Sequence, residues 1–292
     1  MPPTITRSFP PMPLGELTAL IDAFPLMSTE EKKRAIDRLV AVHPFTSLQW
    51  GPGWRFRRCR SLGPSDLPAT VDELIWRRDV PAKLGRANPE DFGVLYLADR
   101  QDTALNETRV IRSRAAIAEF EIRDGRSIRI APMGEMAQIQ RTGQGFLAGE
   151  ASAAFHSTLN ACPIDDARSL LITDAFLLDC FVGHDEYEVS SHLAQAIFAK
   201  CRGTSAIAYS SRRQHGAINL AVRTEDFWQA WGLVSVRCGM ASHLAMGYYD
   251  FAPDTAVDGV YQDGRLRWTA LENSSAIPLL EPPYTPAEDD LA

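Results

Sequence analysis

Three residues in the central third of the chain have side chains that bind charged groups. Arg86, Tyr96 and Glu107 follow one another at spacings of ten and eleven residues. A guanidinium pairs with phosphate oxygens through its planar fork. The face of a phenol ring attracts a cation, and a carboxylate stabilises developing positive charge. Together these residue types suit a substrate that carries both a phosphate and a cationic ring.

The segments around these residues predict the elements that position them. Gly93–Ala98 is a short apolar run typical of a buried strand, and it carries Tyr96. Asp102–Thr108 has helix-forming composition, with Asp102 as the expected N-cap, and it carries Glu107. Residues 54–60 alternate as in a strand, which places Arg58 and Arg60 on one side and Arg57 on the other.

The rest of the chain mixes helical and strand patterns without regular alternation. Helices are expected at 14–24, after the Ser28–Glu31 capping box and at 189–200. One or two strands are expected from 114 to 130, with Asp124-Gly125 as the turn. Asp263-Gly264 predicts a hairpin turn between the last two strands. The later strands are expected at 204–210, 218–222, 233–237, 244–251, 257–261 and 266–271. Residues 277–292 are expected to be frayed. This order predicts an α+β fold and not a doubly wound parallel sheet.

Composition narrows the class of protein. The chain has 292 residues and a net charge of −7, which disfavours nucleic acid as a partner. It has no apolar run of 18 residues and no apolar leader, so neither a membrane span nor a cleaved secretion signal is expected. A secretion route without a cleaved signal would leave no trace. The five cysteines include no C-x-x-C pair, which is typical of reduced thiols in a cytoplasmic protein.

Two further patterns are weak. Cys180 and His184 supply only two good ligands, whereas a zinc site needs about four, so no metal is expected. Gly143-Gln144-Gly145 lacks the strand–helix frame of a phosphate loop. The oligomeric state is not readable from the sequence.

Several motifs occur in an order that resembles the RES domain family. They extend over a little over half of the chain, from about residue 54 to 222. The motifs are Phe56-Arg57-Arg58-Cys59-Arg60, Gly85-Arg86-Ala87-Asn88, Val94-Leu95-Tyr96-Leu97-Ala98, Thr103-Ala104-Leu105-Asn106-Glu107, Ala206–Arg213 and Gly216–Val222.

The resemblance implies a role for individual residues. Glu107, Tyr96 and Arg86 correspond to the catalytic residues, and Ser211 corresponds to the family's serine, although Ser210 stands where the family has proline. Ser211 and Asn219 are candidates for binding the ribose hydroxyls or the carboxamide of NAD, the substrate that the resemblance implies. The family's first arginine, which is expected to bind the pyrophosphate together with Arg86, has two candidate positions. Arg58 is preferred because Arg58-Cys59-Arg60 keeps an R-x-R pattern, and Arg57 stays open as the alternative.

The resemblance also implies a fold similar to the ADP-ribosyltransferases, with a split mixed β-sheet and flanking helices. We expect an N-terminal helical segment at 1–50, an NAD-binding catalytic core at 51–225 and a β-rich extension at 226–292 packed on that core.

Family members act as bacterial toxins that consume NAD or ADP-ribosylate a protein, and many are paired with an antitoxin. Nicotinamide leaves as a neutral molecule, so one carboxylate can suffice where most glycosidases need two. The expected activity is therefore that of an NAD glycohydrolase or phosphorylase that depletes cellular NAD and requires an antitoxin or immunity protein. Two alternatives stay open: a protein ADP-ribosyltransferase that uses the same site, and a catalytically silent RES-like interaction module.

Overall fold

The computed structural model describes residues 4–76, 81–183, 186–225, 227–271 and 284–286. The helices are α1 (Ile5–Ser8), α2 (Leu14–Ala23), α3 (Thr29–Val42), α4 (Val71–Leu74), α5 (Gln101–Glu107), α6 (Glu135–Thr142), α7 (Ser152–Asn160), α8 (Ile164–Val182), α9 (Tyr187–Lys200) and α10 (Phe227–Ala230). The strands are β1 (Leu48–Trp50), β2 (Arg55–Ser61), β3 (Val94–Ala98), β4 (Arg112–Ile122), β5 (Ile128–Pro132), β6 (Ala206–Ser210), β7 (Ile218–Arg223), β8 (Trp231–Ala245), β9 (Tyr248–Val260) and β10 (Leu266–Ala270). With 38% helix and 30% strand, the predicted α+β class is confirmed.

The chain forms two compact units, and each is assembled from separate segments of the sequence. The first unit comprises Met1–Leu48, Ala82–Phe92 and Arg129–Tyr209, and the second comprises Gln49–Pro81, Gly93–Ile128 and Ser210–Ala292, as far as these ranges are described. The division into segments 1–50, 51–225 and 226–292 stays a prediction.

The first unit is mainly helical. The predicted capping box starts α3: the Ser28 side chain accepts from the Glu31 amide while the Glu31 side chain accepts from the Ser28 amide. Helix α9 packs against α3 and α8. Leu193 and Ile197, expected to point inward on α9, are fully buried. Strands β5 and β6 pair in parallel.

The second unit is built on an antiparallel sheet. Within the described residues its strands run in the order β7-β3-β2-β4-β8-β9-β10. One face carries the aromatic rings of Phe56, Phe120 and Trp231, with Phe227 stacked on Trp231. On the other face, α5 packs over a cluster of buried small and aliphatic side chains: Cys59, Ala98, Ala104, Leu105, Val110, Ala115, Ile117 and Ala241. This cluster fixes α5, and therefore Glu107, against the sheet.

Several local predictions need correction. Asp102 is not the N-cap of α5, because the helix begins at Gln101 after Arg100, and no side chain caps it. The Asp124-Gly125 turn exists, with Gly125 at a φ of 72°, but β5 after it pairs with β6 in parallel. The strand predicted at 244–251 contains a hairpin turn, because β8 ends at Ala245 and β9 begins at Tyr248.

Five of the described helices were not predicted: α1, α6, α7, α8 and α10. Of these, α6 and α7 lie in the poorly patterned region 132–163. The expected fraying of 277–292 falls almost wholly outside the described residues. In the part of the chain that is described, no helix combines the length and apolar character needed to cross a membrane.

Candidate active site

Glu107 is the last residue of α5, and its carboxylate is held by two side chains of the second unit. Ser211 Oγ and Asn219 Nδ2 each donate to Glu107 Oε1, both at 2.7 Å. Both donors are buried, whereas the Glu107 side chain is 36% exposed. One carboxylate oxygen is therefore fixed by buried donors, and the group remains open to solvent. The structure thus brings together three of the six predicted site residues.

Ser211 also organises the turn that follows it. Its hydroxyl oxygen accepts from the amides of Arg213 and Gln214, both at 3.1 Å. Gln214 Oε1 in turn accepts from Thr103 Oγ1 of α5 at 3.0 Å. A hydroxyl that bonds to amides two and three residues ahead stabilises a turn locally. The turn and α5 are consequently linked at two places, Ser211–Glu107 and Gln214–Thr103.

Arg213 provides a cation beside the carboxylate. Its Nε lies 3.8 Å from Glu107 Oε2, and both side chains are more than one-third exposed. An ion pair this exposed contributes little to folding stability, since solvent screens the charges. The Arg213 carbonyl accepts from Asn106 Nδ2 at 3.1 Å, and Asn106 directly precedes Glu107.

The strand register places Tyr96 on the same side of the sheet as Asn219. Ala98 of β3 lies opposite Asn219 of β7 and opposite Arg57 of β2. Directly opposed residues project from the same face of an antiparallel sheet. Tyr96, two residues before Ala98, shares that face. Tyr96, Asn219 and Arg57 therefore lie on the face that α5 covers.

Arg58 projects from the opposite face, because neighbouring strand residues alternate. Its Nη1 donates to the backbone carbonyl of Tyr96 at 3.3 Å. Burial lowers the pKa of the Arg58 guanidinium to about 10, and the charge of Arg60 adds to this effect. The preference for Arg58 over Arg57 as a phosphate-binding residue stays a prediction, and the register favours Arg57.

Arg57 is anchored by a largely buried carboxylate. Its Nε donates to Glu119 at 2.9 Å, and its Nη1 donates to the Asp99 carbonyl at 2.7 Å. Ser235 Oγ donates to the other oxygen of Glu119 at 2.5 Å. Burial by itself raises the pKa of Glu119, but the Ser235 hydrogen bond and the nearby arginines outweigh it, so the pKa lies below its usual value.

Arg86 belongs to the first unit. Its Nη1 donates to the Phe181 carbonyl at the end of α8 at 2.5 Å, and its guanidinium lies 5.6 Å from the centre of the Tyr187 ring. These contacts tie the segment 82–92 to α8 and α9. The assignment of Arg86 to the catalytic site stays a prediction.

The weak patterns have structural roles or fall outside the described residues. The amides of Phe146, Leu147 and Ala148, after Gly143-Gln144-Gly145, donate to the buried Glu135 carboxylate. These donors are therefore not directed at a phosphate. His184 lies outside the described residues, and burial raises the pKa of the Cys180 thiol to about 12. Among the described residues, no group of three or more His, Cys, Asp or Glu side chains is placed to hold a metal ion.

Sequence reasoning missed two residues that contact the site, Asn106 and Arg213. Both lie inside motifs that were recognised, Thr103–Glu107 and Ala206–Arg213. No pattern in the sequence distinguishes them from ordinary surface residues. Their importance follows only from the contact between the two segments.

A family model matches the central part of the chain. The family model described as the RES domain matches residues 54–236 of this chain. This family is associated with NAD-related toxin–antitoxin systems. No curated protein is significantly similar to the chain. The matched range contains Glu107, Ser211 and Asn219, whose contacts define the site.

Proposed function

This chain belongs to the RES domain family, and we propose that it cleaves the bond between nicotinamide and ribose in NAD. The observation that carries the proposal is the state of the Glu107 carboxylate. Oε1 is fixed by Ser211 and Asn219, while the side chain stays more than one-third exposed beside a cationic residue. A carboxylate that is oriented in advance yet still accessible suits the stabilisation of charge that develops during a reaction.

The chemistry requires little else from the protein. The glycosidic carbon–nitrogen bond breaks, its electron pair leaves with nicotinamide, and the pyridinium nitrogen becomes neutral. Positive charge is left on the ribose, where Glu107 stabilises it. In hydrolysis, water adds to the anomeric carbon and releases one proton. No acid is required for the leaving group, unlike in most glycosidases, which use a second carboxyl group.

The neighbouring residues support this role in three ways. Ser211 and Asn219 act through Glu107, because their polar hydrogens point at its carboxylate. Tyr96, on the same face of the sheet, supplies a ring for the cationic nicotinamide. Arg57, on that face as well, is the arginine of the second unit that we assign to a phosphate of NAD.

Depletion of NAD would be toxic to the cell that makes the enzyme. The family's link to toxin–antitoxin systems therefore favours a toxin-like role with a neutralising protein partner. The acceptor of the ADP-ribose group, whether water, phosphate or a protein, distinguishes the possible activities.

The test is NAD turnover by purified wild-type protein, with product identification by mass spectrometry and with or without added phosphate. Release of nicotinamide and free ADP-ribose supports a hydrolase, and a phosphorylated ADP-ribose that requires added phosphate supports a phosphorylase. A protein that gains the mass of ADP-ribose, in a lysate supplied with labelled NAD, indicates transfer instead. If folded wild-type protein consumes no NAD under any of these conditions, the proposal is wrong. A catalytically silent interaction module then becomes the better interpretation.

A further inference from the structure

The hairpin formed by β8 and β9 continues well beyond the family match. The match ends at residue 236, whereas β8 continues to Ala245 and β9 runs from Tyr248 to Val260. The connecting turn has two residues with positive φ, Met246 at 53° and Gly247 at 82°. Two consecutive left-handed residues are the conformation of a tight hairpin turn, and glycine adopts it without steric cost.

This turn lies directly against Asn106. A Cβ added to Gly247 would lie 2.8 Å from Asn106 Nδ2 and 3.9 Å from the Arg213 carbonyl oxygen. The first distance is shorter than real Cβ contacts. The absence of a side chain at residue 247 therefore allows the turn to approach the Asn106 amide.

Asn106 in turn connects the two segments that form the site. It precedes Glu107 at the end of α5, and its Nδ2 donates to the Arg213 carbonyl at 3.1 Å. Arg213 lies in the turn that Ser211 stabilises, and Ser211 holds the Glu107 carboxylate. A shift of the Asn106 amide would break this hydrogen bond, which joins the end of α5 to the turn.

We propose that the β8–β9 turn braces the site, with Asn106 as a positioning residue that keeps Glu107 aligned with Ser211. The effect of this contact on activity rests on the proposed NAD cleavage. Its effect on the Ser211–Gln214 turn does not depend on any substrate. It gives a function to part of the chain beyond the matched family region.

The experiment compares Gly247→Ala with Gly264→Ala. Both glycines occupy hairpin turns at nearly the same φ, 82° and 77°, so both substitutions impose similar backbone strain. In the part of the chain that is described, a Cβ at residue 264 meets only Tyr284 Oη, at an ordinary 3.6 Å, in a turn between β9 and β10. We expect both variants to lose thermal stability through backbone strain, Gly247→Ala at least as much as Gly264→Ala. Only Gly247→Ala should lose kcat for NAD, by about tenfold, with little change in KM.

The second readout is amide hydrogen exchange at Arg213 and Gln214, which donate to Ser211. Faster exchange is expected in Gly247→Ala and in Asn106→Ala, but not in Gly264→Ala. Asn106→Ala keeps the hairpin glycine and serves if Gly247→Ala does not fold.

The outcomes separate the two proposals. If wild-type protein does not consume NAD but the exchange rates differ as expected, the brace stands and the proposed function fails. If wild-type protein consumes NAD but the Gly247 and Asn106 variants match Gly264→Ala in kcat and in exchange, the brace is wrong.

Discussion

Glu107 in the second unit and Glu135 in the first are both held by hydrogen bonds, but in different ways. Glu135 is the first residue of α6, is 1% exposed, and accepts from the backbone amides of Phe146, Leu147 and Ala148 at 2.6–3.2 Å. Glu107 accepts from two side chains on one oxygen and is more than one-third exposed.

The comparison shows how the same residue type serves structure in one place and chemistry in another. Backbone donors on both oxygens of Glu135 fix a loop and leave no room for a ligand. Side-chain donors on one oxygen of Glu107 fix its direction and leave the group accessible. Accessibility, and not the number of hydrogen bonds, therefore separates the candidate catalytic carboxylate from the structural one.

The largest expected effect is on activity, for Glu107→Gln. Removing one placed electrostatic group typically costs about 10²–10³-fold in kcat, or about 2.7–4 kcal/mol. Stability should change by less than about 0.5 kcal/mol, because the amide oxygen of Gln can still accept from Ser211 and Asn219 and the Arg213 ion pair is exposed. NAD turnover and urea unfolding measure the two quantities. Full activity in the folded variant would remove Glu107 from the mechanism.

Glu135→Ala should show the reverse pattern. Three loop amides lose their acceptor, and each unsatisfied buried donor costs about 1–3 kcal/mol, so unfolding free energy should fall by about 3 kcal/mol or more. Urea denaturation measures this loss, and amide exchange at Leu147 and Ala148 localises it. A change below about 1 kcal/mol would mean that this carboxylate does not hold the loop.

Removing either donor to Glu107 should lower activity equally, but only the loss of Ser211 should also lower folding stability. Asn219→Ala removes one hydrogen bond to the carboxylate and should lower kcat about tenfold, equivalent to about 1.4 kcal/mol. Ser211→Ala should match this loss of kcat and also reduce unfolding free energy by about 1–2 kcal/mol, because the turn amides of Arg213 and Gln214 lose their acceptor. Equal stability of the two variants would contradict the role given to Ser211 in the turn.

The smallest expected effect is the pH dependence of folding stability that Glu135 causes. Burial raises the pKa of Glu135 above its usual value of 4.5, despite the backbone amides that lower it. The folded protein therefore binds this proton more tightly than the unfolded chain. The associated stability is present in full below pH 4.5 and is lost as pH rises through the raised pKa, at no more than about 1.4 kcal/mol per pH unit.

Unfolding free energy across this pH range, in wild type and in Glu135→Gln, isolates the effect. The unfolding free energy of wild type minus that of the variant should fall as pH rises from below 4.5 through the raised pKa of Glu135. Glu119 contributes the opposite slope, since its pKa is lowered and its stabilisation is lost as pH falls, but this slope is common to both proteins. A wild-type minus variant difference that does not vary with pH would contradict the raised pKa.

Elements with strong local signals were predicted well. The capping box of α3, strand β3 with Tyr96, helix α5 with Glu107 and the Asp263-Gly264 hairpin are each encoded by neighbouring residues. Helices α6 and α7 were missed. The first of these begins at the buried Glu135, a charged residue whose burial depends on amides ten or more residues away. The turn at Met246-Gly247 was also missed, since Met at a positive φ gives no turn signal.

By itself the sequence determined the secondary structure that carries the key residues and, through ordered motifs, the family. It did not decide between Arg57 and Arg58, because they are adjacent and only strand register distinguishes the face each one occupies. Nor did it place Asn106, Arg213 and Gly247 beside one another. Contacts between segments more than 100 residues apart depend on packing across the whole unit, and local propensity carries no information about them. The alignment of Glu107 with Ser211 and Asn219 is such a contact, so tertiary structure alone decided it.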